Sequence, residues 1–208
     1  MLEKCYKIEN NERLFDFKTC LNYLDHLGKK KYGSAFKIDL SDRDTLLKLI
    51  SYSVGANDVC EENFIDLEKG VLLIGPVGCG KTTIMTLLNK FVYPHQRYLV
   101  KSTRDIANEF HQDGFEIINK YGRRQKAICL DDLGVEQNMK YFGNECNTIG
   151  EILLYRYDMF MNYGIVTHAT TNLNAEELEK LYGNRVRSRL RSMFNLIVFH
   201  SDVKDKRK

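Results

Sequence analysis

The residues Gly75-Pro76-Val77-Gly78-Cys79-Gly80-Lys81-Thr82, followed by Thr83, have the spacing GxxxxGK[ST] of a polyphosphate cradle. Glycines at these places let the backbone adopt positive φ and close around an anion, so that successive N–H groups point at phosphate oxygens. Lys81 supplies a point charge for the β- and γ-phosphates, and the Thr82 hydroxyl is placed to hold Mg²⁺. Farther along, the apolar run 127–130 ends in Asp131-Asp132-Leu133-Gly134. A buried central strand would deliver these carboxylates at its C-terminal edge, where ligands bind in such sheets. There Asp131 is expected to hold the Mg²⁺ shell and Asp132 to orient or deprotonate an attacking water. Alone, paired acids at a strand end are often only a turn or a helix cap; their place behind the phosphate cradle favours chemistry.

Two more groups fit a phosphate-cleaving site. Asn172, after Ala169-Thr170-Thr171, is a neutral amide at a strand tip that could position the lytic water without adding charge. Its competing role is to cap a turn, because Asn174-Ala175-Glu176-Glu177 looks like a capping box. Arg185, Arg187, Arg189 and Arg191 alternate along one segment. On a helix Arg185 and Arg189 share one face, and Arg187 and Arg191 share another, with Val186, Leu190 and Met193 forming an apolar stripe between them. An arginine aimed at a γ-phosphate is worth roughly 10³ to 10⁵ in rate.

These residues need a scaffold. The β-rich runs at 71–74, 98–101, 127–130, 165–170 and 196–199 are separated by stretches long enough for crossover helices, as parallel strands require. The fold class expected is therefore α/β, with a parallel sheet flanked by helices and the cradle between the first strand and a helix at 81–91. Upstream, Leu14, Phe17, Leu21 and Leu24 make one stripe of an amphipathic helix at 12–27, with Gly28 as its stop and Lys29-Lys30-Lys31-Tyr32-Gly33 as a linker. The stripe suits packing on its own domain or docking on a partner. The division expected is an N-terminal appendage, 1–35, and an ATPase domain, 36–208. The segment 36–53 is the candidate wall for the base.

Composition narrows the class. The 208 residues are 43% hydrophobic and 28% charged with a net charge of +3, which excludes a disordered or fibrous chain and does not by itself announce a nucleic-acid binder. The longest apolar runs are far below the roughly 20 residues of a membrane span, and the N-terminus has no apolar signal core, so a cytoplasmic protein is expected. The six cysteines show no Cys-x-x-Cys pair and read as reduced, packed thiols. The five histidines show no catalytic grouping.

In order along the chain, the cradle, Ile128-Cys129-Leu130-Asp131-Asp132-Leu133-Gly134, Thr171-Asn172 and Arg185-Val186-Arg187-Ser188-Arg189-Leu190 resemble the AAA+ ATPases, and within them the DnaC/IstB-like helicase loaders and transposition ATPases. The resemblance covers about residues 36–200. It implies a five-stranded parallel sheet in 5-1-4-3-2 order, ATP and Mg²⁺ bound at subunit boundaries of a homo-oligomer formed on ATP binding, and an arginine finger given in trans. Arg189 matches that finger, with Arg185 as its companion. It further implies a replicative helicase or a transposase as partner and contact with single-stranded DNA through helices between 103 and 121. Lys120, Arg123, Arg124 and Lys126 form a basic patch nearby. Many AAA+ proteins have Asp-Glu where this chain has Asp131-Asp132, which implies slow hydrolysis, and too few residues follow Phe199 for the helical lid that carries a second sensor arginine. The readings that compete with a loader are a transposition-assisting ATPase, a nucleotide-holding scaffold with little hydrolysis, and a small-molecule P-loop kinase.

Overall fold

The chain enters through a hairpin of β1 (Tyr6–Glu9) and β2 (Glu12–Phe15) and then forms α1 (Phe17–Tyr32). A computed structural model describes residues 2–9, 12–136, 139–141, 144–199 and 206. Next come α2 (Arg43–Val54), α3 (Asn57–Glu62), β3 (Gly70–Ile74), α4 (Lys81–Leu88), β4 (Leu99–Ser102), α5 (Thr103–Asp113) and α6 (Phe115–Gly122). They are followed by β5 (Ile128–Leu133), a hairpin of β6 (Met139–Tyr141) and β7 (Asn144–Cys146), α7 (Thr148–Tyr163), β8 (Thr167–Thr171), α8 (Ala175–Tyr182), α9 (Asn184–Met193) and β9 (Phe194–Val198).

The five long-range strands pair in parallel in the order β4-β5-β8-β3-β9. Counted along the chain from β3, this is the expected 5-1-4-3-2 arrangement. Strand alternation divides the core into two layers. Val71, Leu73, Cys129 and Ile197 face α1, α2 and α4, where they meet Leu24, Leu49, Ile84 and Leu88. Leu72, Ile128, Leu130 and Ala169 face the other way, onto Ile106, Ile117, Ile152, Val186 and Leu190. Every residue of β8 is buried, as a central strand covered on both sides should be.

The N-terminal region differs from expectation. Glu12–Phe15 pairs with Tyr6–Glu9 as a strand, and the helix starts only at Phe17, where the Asp16 carboxylate accepts from the Thr19 N–H at 2.7 Å. Because β2 carries Leu14, that residue leaves the helical stripe and is exposed. Gly28 does not stop the helix: it is buried against the Phe36 ring, so its lack of a side chain serves packing, and the lysine run forms the last turn, capped at Gly33. Cys20 and Leu24 are fully buried in the same core layer as the phosphate-loop helix α4.

Candidate functional site

The cradle leaves β3 and turns into α4 through two left-handed glycines, Gly78 at φ 83° and Gly80 at φ 98°, the second being the N-cap of α4. A side chain at either would strain the backbone. The loop and the first turn of α4 line a cavity of about 670 Å³, within the usual range for small-ligand sites. Val77, Gly78, Cys79, Gly80, Lys81, Thr82 and Thr83 form one wall. The buried Lys81 ammonium donates to the carbonyl oxygens of Gly75 at 2.8 Å and Pro76 at 3.0 Å. Burial pushes the Cys79 thiol up, with Lys81 opposing, so this cysteine is a neutral packed group.

β5 runs through both acids instead of ending before them, and it does so irregularly. Its register with β8 passes from Leu130↔Ala169 to Leu133↔Thr171, so Asp131 and Asp132 together oppose Thr170. Asp132 has φ 58°, a left-handed value that Asp tolerates better than most residues. This is a β-bulge, and it re-aims a side chain. On a regular strand Asp131 would share the face of Cys129 and α4, while Asp132 would point into the opposite core layer. The bulge keeps Asp131 on the α4 face and turns Asp132 out to line the cavity with Asn172.

Thr170 secures that geometry. Its hydroxyl donates to Asp131 Oδ1 at 2.8 Å and accepts from the Asp132 N–H at 2.8 Å, while Thr103 donates to the Asp132 carbonyl at 2.8 Å. From the other side the Thr82 hydroxyl donates to the Asp131 carboxylate, with its two oxygens at 3.0 and 2.9 Å. Burial pushes the Asp131 carboxyl above the usual range, while the bonds from Thr170 and Thr82 and the Lys81 charge pull it back. Thr82 and Asp131 are hard oxygen donors side by side, the chemistry that Mg²⁺ takes, so the residues present fit that ion.

Asn172 is exposed at the end of β8, and Asn174 caps α8 in a full capping box with Glu177. The arginines lie elsewhere: none of the four lines this cavity. Val186, Leu190 and Met193 seat α9 in the core. Arg187 pairs with Glu179, Arg185 and Arg191 are exposed, and the Arg189 guanidinium lies 5.0 Å from the Tyr157 ring centroid. Arg189 Nη1 has no hydrogen-bond partner among the described residues. Of the basic patch, Lys120 pairs with Glu109 at 2.9 Å, Arg123 stacks on Tyr155 at 4.7 Å, and the Arg124 carbonyl accepts from the buried Arg156 at 2.6 Å.

Sequence reasoning named no role for Thr170, Tyr32, Asp42 or Lys206. Thr170 could have been found from strand parity, since it lies two residues beyond His168 on a strand beside the acids. The segment 36–53 does line the cavity, through Phe36, Lys37, Ile38 and Asp42, whereas Tyr32 and Lys206 reach it from outside that segment and no local pattern marks them.

No family model matches the chain. Over 59 residues, 26% of the chain, it is 36% identical to the spermidine/putrescine import ATP-binding protein PotA of Nitratidesulfovibrio vulgaris, and the match spans only 16% of that protein. Among solved structures, the DnaC helicase loader superposes with a TM-score of 0.55 at 20% identity, covering 79% of this chain and 93% of that one. DnaI gives 0.55 at 23% identity, covering 78% and 88%. The replication initiator DnaA bound to AMPPCP and single-stranded DNA gives 0.55 at 17% identity, covering 80% of this chain and 49% of that chain. At such identities the likeness establishes architecture: this chain has the fold of DnaC, DnaI and DnaA, a helix-flanked parallel sheet with the glycine-rich loop after its first strand.

Proposed function

We propose that this chain is a Mg-ATP-dependent helicase loader that hydrolyses ATP slowly within a homo-oligomer and delivers a replicative helicase to single-stranded DNA. The observation that carries the ATPase reading is the bulge at Asp131-Asp132, which sets one acid against Thr82 and the other in the cavity wall beside Asn172. The loader reading draws on the fold shared with DnaC and DnaI across most of both chains.

In this reading the N–H groups of the loop and the N-terminus of α4 bind the phosphates, and Lys81 turns from the loop carbonyls toward the β- and γ-phosphates. Thr82 and Asp131 would hold Mg²⁺, which when bound neutralises charge on the phosphate oxygens. Asp132 accepts the proton of the attacking water or orients it, and Asn172 positions that water from the strand tip. Arg189, outside its own cavity, is the group given to a neighbouring copy's γ-phosphate, and Arg185, exposed on the same helix, accompanies it.

Steady-state phosphate release with and without single-stranded DNA, read beside co-purification with a replicative helicase, tests the proposal. Release that needs Lys81 and responds to DNA, together with ATP-dependent helicase capture, is expected. ATP binding without any release would leave a scaffold, and capture of a transposase in place of a helicase would move the chain to transposition.

A further inference from the structure

The turn that follows the bulge ends in Glu136, and both oxygens of its carboxylate are engaged. Oε2 accepts from the Gly134 N–H at 2.9 Å, and Oε1 accepts from the Tyr182 hydroxyl. The first bond closes the turn 132–136, in which the Val135 N–H also reaches back to the Asp132 carbonyl at 3.3 Å. Asp132 and Val135 of that turn line the cavity. Gly134, at φ 96°, lies under Leu173 and Leu181, and a Cβ there would fall 2.2 Å from Leu173 Cδ1. The second bond leaves the turn altogether. Tyr182 is the last residue of α8, and Gly183 alone separates it from α9, which carries Arg185 and Arg189. Arg187 of α9 pairs with Glu179 of α8, so the two helices are fastened to each other beside this anchor.

A backbone N–H and a phenol both need an acceptor, and a carboxylate accepts on both of its oxygens; an amide in its place would turn an NH₂ group toward one of the donors. The Tyr182 ring is buried, and burial together with the Glu136 charge pushes its hydroxyl far above the usual range, so it remains the donor. Asn172 is held separately. Beside it, the Thr171 hydroxyl donates to the Leu133 carbonyl at 2.8 Å and accepts from the Leu173 N–H at 3.0 Å. Glu136 therefore bears on two things, the turn that aims Asp132 and the start of the arginine helix. In a site shared between copies these serve different cavities, because Asp132 lines the cavity of its own copy and Arg189 lies outside it.

We propose that Glu136 is a positioning residue for both halves of the reaction: through Oε2 it holds the turn that aims Asp132 at the water in its own cavity, and through Oε1 and Tyr182 it sets α9 so that Arg189 reaches the γ-phosphate of a neighbouring copy. Glu136 touches neither nucleotide nor water; it acts through the groups it holds. The inference rests on the reading of Asp132 and Arg189 given under the proposed function.

The experiment measures phosphate release by the full chain. Tyr182→Phe keeps the buried ring and removes only the donated proton, while Glu136→Gln can satisfy one of the two donors but not both. Each should lower kcat roughly tenfold or more with the KM for ATP within about twofold, because the groups around the nucleotide are misplaced and not removed. The double variant should be no slower than the slower single one, as for a pair that acts as a unit. Tyr182→Phe is then placed in one copy at a time of a mixture of Lys81→Ala and Arg189→Ala chains. In the Lys81→Ala copy, which gives only its guanidinium, it should lower the recovered rate; in the Arg189→Ala copy, which gives only its cavity, it should lower that rate as well. Should Tyr182→Phe not fold, Glu136→Gln takes its place in the mixture. A purely structural link would shift the unfolding midpoint and leave these rates as they were. Unchanged kcat in the single variants, or recovery lowered from one kind of copy only, would overturn the proposal while leaving the shared site in place. No recovery in the mixture that carries neither Tyr182→Phe nor Glu136→Gln would overturn the shared-site reading and this inference together.

Discussion

At the residue scale, two hydroxyls decide whether adjacent acids can serve one site. Thr170 holds both Asp131 and the backbone of Asp132, and Thr82 completes the clamp on Asp131. Thr170→Val keeps the shape but removes the donor to Asp131 and the acceptor for Asp132. It should lower stability by about 1–3 kcal/mol, the cost of stranding buried polar groups, and weaken the Mg²⁺-dependent part of nucleotide binding; denaturant unfolding and titration with and without Mg²⁺ would show this. Asp132→Asn is the clean test of the second acid, because Asn also accepts a left-handed backbone. Phosphate release should fall roughly 10²- to 10⁴-fold with ATP affinity nearly unchanged, and an unaltered rate would remove Asp132 from the reaction. The same backbone gives a physical reason for the shorter acid here, since Glu gains no such tolerance at φ 58°.

At the element scale, the helices around the sheet are tied by groups that no motif advertises. Burial works against the Glu109 carboxylate, but bonds from Lys101 at 2.8 Å, Lys120 at 2.9 Å and Tyr121 at 2.8 Å hold its pKa at about 2, joining α5 to β4 and α6. Lys120 is thereby engaged within the molecule. On β8, the His168 Nδ1 accepts from the Val71 N–H at 3.2 Å, and the ring lies between Tyr52 and Tyr98, with centroids at 5.8 and 4.5 Å. Burial, helped by the nearby Arg156, lowers its pKa to about 3. The folded state therefore resists protonation that the unfolded chain accepts near pH 6.5, so this contribution to stability is whole above about pH 6.5 and is lost as pH falls toward 3. His168→Gln should flatten the fall in unfolding free energy between those limits, by up to about 1.4 kcal/mol per pH unit. An unchanged slope would show that other groups carry the acid sensitivity.

At the scale of the whole molecule, α1 and the arginine helix face different tasks. Leu24 is fully buried in the layer that also holds α4, so Leu24→Ala should destabilise this core by about 2–5 kcal/mol, as read by thermal or denaturant unfolding. A loss under about 0.5 kcal/mol would mean that α1 does not share that core. Removing residues 1–35 would take Cys20 and Leu24 with it, so the proposed helicase partner is better tested for docking on α1 by changing exposed Asn22, His26 and Lys30. For the arginines, Lys81→Ala and Arg189→Ala should each be nearly inactive in hydrolysis, and mixing them should restore part of the rate. One copy would then supply the intact cavity and the other the intact guanidinium. No recovery on mixing would argue against a site shared between copies.

Local chemistry in the sequence was enough for the glycine-rich loop between a strand and a helix, the five sheet strands and the burial stripe of α9, because each depends on short-range spacing or strand alternation, while the strand order came through the resemblance. The start of α1 was not legible: Leu14 fits a helical stripe as well as a strand, and only pairing with Tyr6–Glu9 decides between them. Nor was the bulge, since two consecutive acids look the same whether they end a strand or interrupt one; the shift against β8 becomes visible only when Thr170 is in place. Of the cavity wall beyond the loop, the sequence named the segment 36–53, which supplies Phe36, Ile38 and Asp42, but not the residues from outside it. Tyr32 and Lys206 come from outside that segment and from opposite ends of the chain, and a wall assembled from separate segments leaves no spacing to read.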